Sequence, residues 1–407
     1  MDAALDLAQI AQRFPLIPRP RPTYRPLPDR INDVRTLARA AGTSPVLLAQ
    51  AVQAMNKGSL IASDCGRPDL ARAWCRRQIH LFLNARPLTA QEARYALEPA
   101  VNLARLAIRA GDADGAYQQL ENLYRAVTDH GDALVDGEPV SFHDLTASAD
   151  DHRDVVQWLW GVFLAEGARA LISAGHWQQA AQHAERHHGV GRRLLDGRQI
   201  VIVARCLAGQ HENAQALLDE STLTDPWEHL VALPLGVLCR RASGRPADAE
   251  IEAMRQRYLD LEPADELIIF YTRLGLTMID LAGGPDQTTA ASITARLVHD
   301  IRAAGDGYAA RDLLAHQTCR AALTDAHERM LIAAVEAAGL NTGPIPAPLI
   351  DDLHAAVQLS EARIAAHFGT RLLTTPVLQQ NRWAGEPHPD RDQPAVTTQH
   401  PRVGSAR

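Results

Sequence analysis

A small residue followed by glycine, with alanine five positions beyond that glycine, recurs six times in this chain: Cys65-Gly66 to Ala71, Ala110-Gly111 to Ala116, Ala174-Gly175 to Ala180, Ala208-Gly209 to Ala214, Ser243-Gly244 to Ala249 and Ala304-Gly305 to Ala310. Each copy separates two apolar, helix-favouring stretches. Glycine takes the left-handed backbone that ends a helix without steric cost, and alanine lets the next helix approach closely. The motif therefore predicts helical hairpins. A hairpin leaves an apolar face that only a neighbouring hairpin can cover, so the units are expected to stack, with almost no strand.

The totals agree with an array. A chain of 407 residues is long for one compact core, and a composition that is 46% hydrophobic but only 5% aromatic suits close helix packing. No run of 18 or more apolar residues occurs, and residues 1–14 lack the basic start and apolar core of a signal peptide, so a soluble cytoplasmic protein is expected. The five scattered cysteines form no CxxC pair and read as buried thiols. All but one of the 41 basic residues are arginine, Lys57 being the exception, and the formal net charge is −7. That sign argues against a protein that binds nucleic acid over its whole surface, while leaving room for a local basic patch.

Along the chain, a short amphipathic helix over 2–13 is followed by six prolines between Pro15 and Pro28, which predict an extended arm. From Asp29 to Phe368 the periodicity is helical, with starts marked by Asp225-Pro226, Arg67-Pro68 and Arg245-Pro246 and by a capping box at Thr89 and Glu92. The stretch 129–150 interrupts it as a long loop or hairpin-like flap. Residues 369–407, rich in proline, glutamine, threonine and arginine, read as a disordered tail. The expected organisation is thus an arm over 1–28, a helical array over 29–368 and a tail over 369–407.

Successive turn glycines are 45, 64, 34, 35 and 61 residues apart. The central spacings, with Gly-x4-Ala at the inner turn and the segment Gly175-His176-Trp177-Gln178-Gln179-Ala180, resemble the tetratricopeptide repeat (TPR) in degenerate form. The resemblance covers residues 45–320 and is most specific over 160–260. It implies an all-α fold, a right-handed α-solenoid of TPR-like hairpins, whose inner groove binds a protein or peptide. A second resemblance lies at 34–56, where Ala38, Gly42 and Leu48 match the spacing of the helix-turn-helix module of regulators that carry a TPR-like domain. Only Gln50, Gln53 and Asn56 on its second helix could read bases, the rest being Val, Leu, Ala and Met.

Candidate partner-binding residues follow from polar islands in otherwise apolar helices. They are Asn56 and Lys57, Asp151 and His152 with Trp158 behind the long loop, Arg198 and Gln199, and Trp227 as aromatic support. Arg205 and Arg240 each lie four residues before a turn glycine in consecutive units and could form a stripe facing an acidic partner. His183 and His187 have the i, i+4 spacing of a metal-chelating pair, but no third ligand completes a site, and they read as an exposed polar helix face. Phosphate-binding, dinucleotide, zincin and nucleophile-elbow motifs are missing. The expectation is a non-enzymatic scaffold or regulatory protein, with no cofactor, no metal and no membrane contact. DNA is disfavoured as a partner, and a second copy of the chain is left open.

Overall fold

The computed structural model describes residues 7–40, 45–283, 287–340 and 343–374. Among them the chain is predominantly helical. The elements run α1 Leu7–Ala11, α2 Leu27–Ala40, α3 Pro45–Asp64, α4 Pro68–Leu83, α5 Ala90–Arg109, α6 Ala113–Thr128, the strands β1 Asp132–Val135 and β2 Glu138–Ser141, then α7 Ala149–Ser173, α8 Trp177–Arg186 and α9 Asp196–Leu207. They continue with α10 His211–Asp219, α11 Pro226–Ala242, α12 Asp248–Leu259, α13 Ile268–Ala282, α14 Gln287–Ala304, α15 Gly307–Ala315, α16 Gln317–Ala322, α17 Asp325–Ala337 and α18 Ala347–Thr374.

All six motif glycines have positive φ, between 65° and 89°. At five of them the glycine N–H and the next N–H fold back onto carbonyls of the preceding helix, as at Gly209 to Cys206 and Gln210 to Arg205. The alanines at 71, 116, 180, 214 and 310 are buried beneath the following helix. Ala249 is not: it is exposed, and Ala247 is buried instead. The cause is local. The other five helices start two residues after the glycine, whereas α12 begins only at Asp248, so Pro246 precedes the helix and does not open it.

Neighbouring helices pack in chain order, and two larger apolar cores result. The first is built by α2 to α7, the second by α7 to α17. Helix α7 belongs to both, through Val155, Leu159 and Phe163 at one end and Leu171 and Ile172 at the other. It is the one described helix long and apolar enough to cross a membrane, yet it packs on α5, α6 and α8 inside the protein.

The two chain ends are exchanged between these cores. Helix α18 returns to pack on α2, α3 and α4, bringing Leu353, Val357, Ile364 and Phe368 into the first core. The N-terminal segment crosses to the second, where Ile10, Ala11, Phe14 and Leu16 are buried. At the seam the Asp64 carboxylate, at the end of α3, accepts from the phenols of Tyr24 and Tyr308 and from Arg109 at 3.0 Å. Arm, first hairpin and α15 are thereby joined at one buried acid.

The 129–150 segment is the hairpin that its sequence suggests. Asp132 pairs with Ser141 and Val135 with Glu138 across a two-residue turn, Asp136-Gly137, with φ of 53° and 81°. Asp136 is held by Arg72 and Arg76 of α4, and Val135, Val140 and Phe142 join the first core, so the segment is pinned to the array. Of the expected tail, 369–374 continues α18, and 375–407 lies outside the described residues.

Candidate functional site

The proline-rich arm has no helix between Ala11 and Leu27, since five prolines there remove donors and fix φ. Its backbone groups must then find partners elsewhere, and helices far apart in sequence supply them. Gln199 of α9, fully buried, accepts from Leu16 N–H at 2.8 Å and donates to Leu16 C=O at 3.0 Å, with a further bond to Leu194 C=O at 2.9 Å. Arg21 N–H donates to Glu266 C=O at 2.9 Å, and Tyr24 N–H donates to Asp306 at 2.7 Å. Side chains add ion pairs, Arg13 to Asp280 of α13 and Arg19 to Asp196 of α9 at 2.7 Å.

Between the arm and helices α7, α9, α13 and α15 lies a cavity of about 470 Å³. Its polar wall is dominated by arginine: Arg13, Arg19 and Arg21 from the arm, Arg169 from α7 and Arg273 from α13. Glu166 stands at the same wall and is shared by Arg105 at 2.6 Å and Arg169 at 3.6 Å. Burial works against charging Glu166, but the hydrogen bond and charge of Arg105, followed by Arg169, outweigh it and lower its pKa. Burial and then the positive charges of Arg273 and Arg19 lower the pKa of Arg21. Arg169 is lowered likewise by burial, with Arg105 and Arg273 adding to the effect against Glu166.

The residues singled out by sequence are dispersed over four helices, and most are engaged internally. Asn56 donates to Glu98 at 2.9 Å, while Lys57 beside it is half-buried without an ion pair among the described residues. Asp151 caps α5 by accepting from Ala90 N–H at 2.8 Å, and the hydrogen bond from Ser148, followed by this one, lowers its pKa. His152 stacks on His130 with ring centroids 4.1 Å apart, and Trp158 packs against the first core. Arg198 is buried and donates to Ser221 Oγ, Gly191 C=O and Leu217 C=O at 2.7–2.9 Å, tying α9 to α10. Arg205 and Arg240 do not form a free stripe; each reaches across its own turn, to Asn213 C=O at 3.4 Å and to Pro246 C=O and Glu250 at 3.2 and 3.1 Å. Trp227 packs against the second core. Among these sequence-selected residues, Gln199 is the one that bonds to the arm.

One expectation needs correction. His183 is not on an exposed face: α8 packs between α7 and α9, and His183 sits buried against Phe163, within hydrogen-bond distance of Phe163 C=O at 3.2 Å and Tyr117 Oη at 3.3 Å. The second helix of the 34–56 segment, α3, is packed by α2, α4 and α18, leaving Gln53 and Leu60 as its exposed described side chains; Gly42 lies outside the described residues. Of the three candidate base readers on it, Gln53 is exposed and Gln50 and Asn56 are half-buried.

No family model matches this chain, and no curated protein or solved structure is similar to it.

Missed by sequence reasoning were Arg169 and Arg273. A signal existed for one of them. Arg105 and Arg169 each lie six residues before a turn glycine in consecutive units, and both converge on Glu166. Arg273 carries no such periodicity.

Proposed function

We propose that this chain is a non-enzymatic binding protein, a right-handed α-solenoid of TPR-like hairpins whose inner face recognises an extended protein segment. The observation that carries this reading is the pairing of Gln199 with both backbone groups of Leu16. A side-chain amide that satisfies the N–H and C=O of one residue grips backbone whatever the side chain, and it does so for a strand-like or polyproline conformation with no internal partners. Here the segment gripped belongs to the chain itself. The arm is a ligand in cis, and a partner carrying a similar extended segment would compete with it for the same groups, which gives the protein a regulatory character.

The test keeps the whole chain. A specific protease site inserted after Pro22, which is exposed, allows the folded protein to be nicked and the arm exchanged for a labelled peptide of residues 7–22. Saturable uptake, measured by fluorescence anisotropy, is expected. A peptide N-methylated at Leu16 loses the donor to Gln199 and is expected to bind about tenfold more weakly, the equivalent of one hydrogen bond. Equal affinity of the two peptides, or no uptake at about 100 µM, would sink the reading.

A further inference from the structure

The cavity beneath the arm has a charge arrangement that the fold does not need. Its other arginines are balanced by carboxylates: Arg13 by Asp280, Arg19 by Asp196, and Asp312 on the same wall is taken by Arg311. Arg21 and Arg273 have no carboxylate or hydrogen-bond partner for their guanidinium groups among the described residues, and Arg169 shares a single carboxylate with Arg105. The Arg21, Arg169 and Arg273 side chains are solvent-exposed at the mouth of this cavity, so water screens their mutual repulsion in part, and a bound anion would relieve the remainder. They come from three separate elements, the arm, α7 and α13, and no i, i+4 accident of a single helix explains their convergence.

Guanidinium groups present parallel N–H donors that match the oxygens of phosphate, and several converging on one volume favour more than one phosphate. Ile172, Ile200 and Leu276 add apolar lining, Ile172 and Leu276 each lying one helical turn along from Arg169 and Arg273. A volume of about 470 Å³ falls in the range of small-molecule sites. We propose that this cavity binds a phosphorylated small molecule of about nucleotide size, with phosphate oxygens on Arg21, Arg169 and Arg273 and the organic part against Ile172, Ile200 and Leu276. Because Arg21 belongs to the arm, such a ligand bridges arm and array. The site stands independently of whether the arm exchanges for a peptide in trans.

Isothermal titration calorimetry of the full-length protein with ADP, pyrophosphate, citrate and adenosine tests this. ADP and pyrophosphate are expected to bind, ADP the more tightly, with affinity falling as salt is raised. Adenosine, which lacks the phosphates, is expected to give no heat. Arg273→Gln should weaken ADP by at least about tenfold, while Arg205→Gln, outside the cavity, stays within about twofold. Among the described residues the Arg273 side chain makes no hydrogen bond or ion pair, and thermal melting checks that the variant is folded; Arg21→Gln on the exposed arm serves as the second variant. Adenosine binding as tightly as ADP, citrate binding as tightly as pyrophosphate, unchanged ADP affinity in either variant, or no binding of ADP and pyrophosphate at about 1 mM would each overturn the proposal.

Discussion

Phe82 on α4 and Phe368 on α18 meet edge to face, with ring centroids 5.3 Å apart and planes at 85°. The contact fastens the last described helix to one of the first, next to the ion pair of Arg77 with Glu361 and the contact of His367 with Glu92 at 3.1 Å. An array whose end helix is simply a cap would lose little from its removal. Here α18 supplies buried residues to a core otherwise made by α2 to α7, so Phe368→Ala is expected to cost about 3 kcal/mol, the usual magnitude for emptying a buried aromatic site. Chemical denaturation of the variant checks it, and an unchanged midpoint would show that α18 is only loosely apposed.

Gln199→Leu removes both bonds to Leu16 and leaves a buried N–H and C=O without partners. A loss of about 2–4 kcal/mol is expected, since each abandoned buried group costs about 1–3 kcal/mol. The arm should loosen first. Limited trypsin digestion reads this directly: cleavage after Arg13, which the ion pair to Asp280 and the packing of Phe14 now restrain, should accelerate relative to cleavage elsewhere. Arg19, Arg21 and Arg25 each precede proline and are poor trypsin sites, so the Arg13 fragment is diagnostic.

The hairpin turns were legible in the sequence because a positive φ is a demand that glycine meets and other residues avoid. The register of α12 was not, because Pro246 delays the helix without altering the spacing that suggested it. Nor was the exchange of chain ends. An amphipathic stripe tells that a face is covered, and Val357 or Leu16 carries no mark of the distant helix that covers it. Gln199 stood out as a polar residue in an apolar helix, which its buried bonds to the arm explain. The arginine wall was hidden by a net charge of −7, an average that says nothing of how guanidinium groups converge once the arm is laid down.

Stability should fall on both sides of neutrality, through different residues. Burial, reinforced by neighbouring His187, pushes the His183 pKa down to about 4 from the ordinary 6.5. A base depressed in the folded state contributes stability above pH 6.5 that is lost as pH falls towards 4, by roughly 3 kcal/mol in all. Burial opposes charging His316 as well, but its hydrogen bond to Asp280 prevails and raises it to about 9. That contribution is complete below pH 6.5 and disappears as pH rises through 9. Melting temperature against pH should therefore peak near neutrality. Replacing His183 with Phe should flatten the acid limb, and His316→Asn the alkaline limb; a variant that flattened the opposite limb would show the assignment to be wrong.

Two glycines with open space around them should respond in opposite directions. No atom lies within 4 Å of a Cβ built on either Gly209 or Gly161, so crowding is not at issue. Gly209 has φ of 76° at the α9–α10 turn, whereas Gly161 lies inside α7 with no positive φ. Gly209→Val forces a β-branched side chain into the left-handed region and is expected to cost more than about 1 kcal/mol. Gly161→Ala needs no backbone change and limits the freedom of the unfolded chain, so it is expected to stabilise by about 0.5–1 kcal/mol. Thermal denaturation of the two variants side by side makes the comparison. A Gly209→Val protein melting with the wild type would show that the turn backbone relaxes away from its left-handed conformation, and the repeat motif would then lose its physical basis at that unit.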